Sequence, residues 1–144
     1  MIPRKRFASA LSDKLGLLPG KTVTMLNAPT EAEQVLRAAS GPGVFLSRGL
    51  RRRRYDAIFY WPRTQGGIRR ELVRLTARIH PDGAIWVVMP KKAFAAQRGI
   101  DFTWEAMQAE ALKTDLVDNK IAALTDEDYA TRFVIRREKR RSPP

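Results

Sequence analysis

The stretch Tyr55-Asp56-Ala57-Ile58-Phe59-Tyr60-Trp61 decides the fold. After its aspartate it is apolar to the end, and Pro62 stops it. A half-exposed strand alternates apolar and polar residues, whereas a strand covered on both faces reads as a continuous apolar run. Such strands belong to parallel sheets sandwiched between helices. A second run of this kind, Ala84 to Met89, follows the turn Pro81-Asp82-Gly83 and ends at Pro90. Between the two, the spacing of Ile68, Leu72, Leu75 and Ile79 predicts a helix from about Gly66 to His80. Strand, helix and strand in this order form a right-handed crossover unit.

Toward the amino end, Val23 to Leu26 reads as a short apolar strand that Asn27-Ala28-Pro29 terminates. Thr30 and Glu33 have the spacing of a capping box for a helix reaching about Ala39. Ser40-Gly41-Pro42-Gly43 breaks that helix, Val44-Phe45-Leu46 reads as a strand, and Gly49 to Arg54 as a polar loop. Phe7, Leu11 and Leu15 stand at helical spacing before Gly16. Toward the carboxyl end, a helix over Thr103–Lys113 buries Trp104 and Met107. Two strands, Val117–Leu124 and Tyr129–Arg136, then flank the loop Thr125-Asp126-Glu127-Asp128, a common hairpin length. The expected fold class is α/β, a Rossmann-like three-layer sandwich with a mostly parallel sheet ending in an antiparallel C-terminal hairpin. The expected organisation is a basic extension over 1–6, a single domain over 7–136, and a basic disordered tail over 137–144.

A chain of 144 residues suits one domain. With no cysteine and one histidine, a disulfide scaffold, thiol catalysis and cysteine- or histidine-rich metal sites are excluded within it. No apolar run is long enough to span a membrane, and polar residues interrupt the segment after the basic opening Arg4-Lys5-Arg6, so a cytoplasmic location is expected. The formal net charge is +12, gathered mainly at Arg4-Lys5-Arg6, Arg51-Arg52-Arg53-Arg54 and the segment from Arg136 to Arg141. Such clusters suit polyanions, nucleic acid among them, and equally suit plain solubility. The sequence leaves the oligomeric state open.

Two resemblances rest on these residues. The segment from Tyr55 to Arg136 resembles the second half of a class I methyltransferase. It has an aspartate opening an apolar strand, a helix, then Gly83-Ala84-Ile85-Trp86-Val87-Val88-Met89-Pro90, another helix and a hairpin. The resemblance implies a cofactor crevice for S-adenosylmethionine at the first two strands, and there the pattern departs, so the fold is read as similar and the cofactor site as absent. Leu26-Asn27-Ala28-Pro29-Thr30 has no glycine, and Ser47-Arg48 stands where an acidic residue would hold the ribose. The chain is also one strand–helix unit short. Second, Lys14-Leu15-Gly16-Leu17-Leu18-Pro19-Gly20, the segment from Gly83 to Lys92, and Leu116-Val117-Asp118-Asn119-Lys120-Ile121 with Arg132-Phe133-Val134-Ile135-Arg136 resemble a family of small uncharacterised bacterial proteins. That family implies a Rossmann-like fold and supplies no activity.

In an open parallel sheet, ligands bind beyond the carboxyl ends of the strands, where strand order reverses. Asn27, Thr30, Trp61, Arg63, Lys91 and Lys92 are the candidates for that crevice, the two lysines beside an expected helix start. Arg70, Arg74 and Arg78 fall on one side of the helix predicted to reach His80, and with Arg51, Arg52, Arg53 and Arg54 are the candidates for nucleic-acid contact. His80 is read as a helix end, and Asp118-Asn119-Lys120 as charge protecting an edge strand. No Ser-His-Asp set, phosphate loop or HExxH motif is present, so no catalytic residue, metal ligand or cofactor is assigned. The leading expectation is a non-catalytic binding or regulatory domain. The alternatives are electrostatic nucleic-acid binding and an atypical S-adenosylmethionine-dependent transferase.

Overall fold

The computed structural model describes residues 11–140. Six strands form one sheet: β1 (Thr22–Leu26), β2 (Phe45–Arg48), β3 (Tyr55–Tyr60), β4 (Ile79–Pro90), β5 (Leu116–Ala123) and β6 (Asp128–Ile135). Their spatial order is β2-β1-β3-β4-β6-β5. β2, β1, β3 and β4 run parallel, and β6 pairs antiparallel with both β4 and β5. The terminal hairpin is therefore entered in reverse. Its second strand slots beside β4 and leaves β5 at the edge, an arrangement that the sequence pattern does not distinguish from simple addition to the edge.

Three helices carry the layers: α1 (Thr30–Ser40), α2 (Ile68–Thr76) and α3 (Trp104–Ala111). α1 and a helical turn at 11–15 cover one face, where Leu15, Leu36, Met25, Phe59, Trp86 and Val88 form one core. Phe59 and Trp86 stack there with ring centroids 5.8 Å apart. α2 and α3 cover the other face, where Ile58, Ile68, Leu72, Ile85, Met107 and Phe133 form the second core. β3 feeds both cores, which is why its sequence shows no polar alternation. Among the described residues no helix is long and apolar enough to cross a membrane.

The missing unit lies between β2 and β3. Residues 49–54 run from the end of one parallel strand to the start of the other without a helix. An extended chain of that length spans about 20 Å, enough to travel back along a short strand. Leu50 packs into the second core on the way, and the backbone N–H of Arg51 donates to the Tyr55 hydroxyl at 2.9 Å.

Local expectations fail at five places. The capping box of Thr30 and Glu33 does not form: Pro29 is the N-cap residue, no side chain caps the helix, and the Glu33 carboxylate turns to Arg37 and Arg48. The helix expected to reach His80 ends at Thr76, because the chain is recruited into the sheet at once. The Arg78 carbonyl accepts the Tyr55 N–H, and Ile79, 1% exposed, pairs with Tyr55. His80 and Pro81-Asp82-Gly83 consequently lie inside β4, at a register shift against β3. After Lys91 comes only a three-residue 3-10 turn, Lys92–Phe94, and α3 starts later behind the Thr103 cap. Residues 137–140, expected to open a disordered tail, include a 3-10 turn at Arg137–Lys139, and Arg140 Nε donates to the Ile135 carbonyl at 2.7 Å. The expected extension over 1–6, the Phe7 end of the first helix and the last residues of the tail lie outside the described residues.

Candidate functional site

The strand order reverses between β1 and β3. From β1 the chain steps outward to β2 and then returns to the opposite side of β1. The crevice outside a parallel sheet opens at such a point. Two of the sequence candidates meet there. Asn27 follows β1 with φ 64°, the only non-glycine residue at positive φ among the described residues, and asparagine tolerates this region better than most side chains. Its Nδ2 donates to the Trp61 carbonyl at 3.2 Å, while the Trp61 N–H donates to the Leu26 carbonyl at 3.0 Å. The two strand ends are thus laced together. The Trp61 ring is buried, and its Nε1 has no hydrogen-bond partner among the described residues. An unpaired buried donor costs about 1–3 kcal/mol, so it needs a reason.

The remaining candidates do not converge on this point. Thr30 is exposed on the first turn of α1, and Arg63 is exposed after Pro62. Lys91 is exposed and its backbone N–H donates to the Glu127 carbonyl at 2.7 Å, while Lys92 borders a cavity of about 450 Å³ with Phe102, Trp104 and Tyr129 on the α3 side. At the end of β2, Arg48 Nε sits 3.2 Å from Glu33, whose carboxylate also takes Arg37 at 2.9 Å.

Sequence reasoning passed over a second feature. A cavity of about 570 Å³ lies on the α1 side of the carboxyl ends, lined by Pro29, Ala32, Val35, Phe94, Arg98 and Asp128 among others. Arg98 Nη2 donates to the Asp128 carboxylate at 3.0 Å, and Asp128 is 3% exposed. Thr125 Oγ1 donates to the same carboxylate at 3.1 Å and accepts the Asp128 N–H at 2.9 Å. The loop after β4 is thereby clamped to the β5–β6 turn. The Thr-Asp-Glu-Asp composition of that turn was the available signal; its buried end was not readable without the fold.

The arginine candidates are also redistributed. Arg74 pairs with Glu71 at 2.6 Å, and Arg69 pairs with Glu110 of α3 at 2.9 Å. Arg78 lies past the end of α2 and donates to the Arg51 carbonyl at 3.3 Å, so it joins the loop rather than a helical stripe. Arg51 to Arg54 are exposed, and Arg70 makes no ion pair among the described residues. The expected stripe is interrupted by its own counter-charges. Among the described residues, no cluster of three metal-ligating side chains occurs.

No family model matches the chain, and no curated protein does. Solved structures do. The N-methyltransferase NodS from Bradyrhizobium japonicum WM9 superposes with a TM-score of 0.64 at 10% identity, over 92% of this chain and 96% of that one. The chain has the fold of the class I methyltransferases. The CcbJ methyltransferase from Streptomyces caelestis matches with a TM-score of 0.58 at 11% identity, over 93% of this chain and 90% of that one. A S-adenosylmethionine-dependent methyltransferase from Clostridium acetobutylicum ATCC 824 matches at 0.57 and 8% identity, over 94% and 93%. The Rossmann-like sandwich expected from the sequence is thus borne out, and so is its likeness in fold to that class.

Proposed function

We propose that this chain is an atypical S-adenosylmethionine-dependent transferase that takes its cofactor at the crevice between β1 and β3. The observation that carries the reading is the Asn27–Trp61 junction at the point where strand order reverses, beside which the buried Trp61 Nε1 has no acceptor among the described residues. The Asn27 turn supports it, because a positive φ after the first strand does with asparagine what a glycine would do there. The fit departs from the class pattern at the end of β2, where Arg48 replaces the acid. Glu33, reaching the same place from α1, offers the carboxylate instead, already neutralised by two arginines. Asn27, Trp61 and Glu33 would hold the group. S-adenosylmethionine, when bound, supplies an electrophilic methyl on a positively charged sulfur. The chain's own part is to orient that group and to exclude water with Trp61. No general base is assigned.

One observation favours a second reading, a non-catalytic binding domain: the Glu33–Arg48 pair fills the position from which the ribose would be gripped. Calorimetric titration with S-adenosylmethionine and S-adenosylhomocysteine separates the two. The transferase reading expects saturable heat, weakened about two- to tenfold in Trp61→Phe, the loss of one neutral hydrogen bond. Absence of heat with both compounds leaves the non-catalytic reading.

A further inference from the structure

A cavity of about 410 Å³ opens at the other end of the sheet, over the amino halves of β1, β3 and β4 on the α1 face. Its size is that of a small-molecule site. Lys14, Ala84, Trp86, Asn119, Lys120 and Arg132 are among its lining residues. Residues from three segments far apart along the chain, 13–21, 82–86 and 119–132, therefore meet there.

The backbone is bent to aim them. In β5, Leu116 belongs to the core on the α2–α3 face, and strict alternation would put Asp118 and Lys120 on that face too. Asp118 obeys, accepting from Gln108 of α3 at 3.1 Å. The register then shifts between Asp118 and Lys120, leaving Asn119 as an extra residue. Beyond it Lys120 stands opposite Arg132, and Ala122 enters the core of the opposite face. The bulge thus turns Lys120 into the cavity, a use to which bulges are well suited. Arg132 in turn stands opposite Trp86 of β4. The second register shift, between β3 and β4, brings Asp56 and Asp82 to the same cavity.

The result is a cation pair held against its own repulsion. Like charges directly opposite on adjacent strands destabilise a sheet. Among the described residues neither Lys120 nor Arg132 is within ion-pair distance of a carboxylate. Lys120 Nζ donates to the Lys14 carbonyl at 2.7 Å, and Arg132 Nη1 donates to Asn119 Oδ1 at 3.3 Å. Burial, and Arg140 after it, pull the Arg132 guanidinium below its ordinary value. Lys14 and Lys21 add positive charge at the rim. Asp13, Asp56 and Asp82 line the cavity as well, and Asp56 accepts the Thr22 N–H at 2.8 Å.

We propose that this cavity binds a small molecule bearing an oxyanion, its phosphate or carboxylate held between Lys120 and Arg132 and its hydroxyl or amino groups facing Asp56 and Asp82. The site is separate from the crevice at the carboxyl ends and does not depend on it. The test is calorimetric titration of the full chain with inorganic phosphate in one arm and malonate in the other. At least one saturates, and which one does so tells phosphate from carboxylate. Lys120→Ala weakens binding about tenfold, the loss of a charge-assisted contact, and Lys120→Arg retains most of it. A Lys91→Ala, Lys92→Ala double variant, at the far end of the sheet, leaves it within about twofold. Thermal melts of all three variants verify that each is folded. The proposal is overturned if neither anion saturates at millimolar concentration, or if the double variant weakens binding as much as Lys120→Ala.

Discussion

Replacing Gly83 by alanine should destabilise the protein by about 2–3 kcal/mol, and the reason is local. An added Cβ would stand 2.9 Å from the Asp56 carbonyl oxygen, 3.0 Å from that of His80 and 3.2 Å from the Ile79 Cβ. The first two obstacles are backbone, and a strand held in the middle of a sheet cannot swing aside as a side chain tip can. Overpacking of this kind costs about 1–3 kcal/mol. The upper part of that range applies, because relief requires moving β3 against β4. At roughly 3 °C per kcal/mol for a domain of this size, the midpoint should fall by about 6–9 °C. Gly66→Ala is the control. Nothing lies within 4 Å of its added Cβ and its φ is ordinary, so it should be neutral or slightly stabilising. Urea and thermal unfolding followed by circular dichroism measure both. A Gly83→Ala variant that melts with the wild type would refute the bulge geometry, and with it the placement of Asp56 and Asp82 at the amino-end cavity.

Ile58 is fully buried between Thr24 of β1 and Ile85 of β4, so Ile58→Asp should abolish cooperative folding; a soluble variant with a sharp melt would contradict a central β3. Arg98→Ala should cost about 2–3 kcal/mol by leaving the buried Asp128 carboxylate to Thr125 alone, and amide exchange should quicken first in the β5–β6 turn. Burial, reinforced by Glu71, raises the Tyr60 phenol from 10.0 to about 12. The folded state therefore keeps a proton that the unfolded chain releases. This contribution is intact below pH 10 and is lost as pH climbs toward 12, by up to about 3 kcal/mol. In Tyr60→Phe the alkaline loss should be smaller by that amount; equal losses in both proteins would remove the burial argument.

The layers were legible because β3 and the Ala84–Met89 run are apolar on both faces, and because proline or glycine ends nearly every element. Register was not. Pro81-Asp82-Gly83 has the composition of a turn, and only pairing with β3 makes it a bulge inside β4. Nor can alternation in Val117–Leu124 reveal that β6 comes to lie inside β5, or that Asn119 is the extra residue that turns Lys120 over. The crevice was half legible. Asn27 and Trp61 follow strands that prove adjacent, so they meet. Lys91 and Lys92 follow a strand too, but a short 3-10 turn replaces the helix that would have made them an anion site. Arg98 and Asp128 could not be paired in advance, because their meeting depends on how the loop after β4 folds back over the β5–β6 turn.

The crevice between β1 and β3 is proposed to receive a S-adenosyl compound beside the Trp61 Nε1–H, which has no acceptor among the described residues. The most direct test of that central claim is the indole N–H spectrum of the 15N-labelled protein during titration with S-adenosylhomocysteine, with Trp61→Phe used to assign the resonance. Trp104 Nε1 already donates to Thr131 Oγ1 at 2.8 Å, and Trp86 is buried in the core, stacked on Phe59. Binding at the crevice should give a saturable shift of the Trp61 resonance while those of Trp86 and Trp104 stay in place. If the Trp61 signal does not move at a saturating excess, or if all three indoles move together, the crevice is not the binding site.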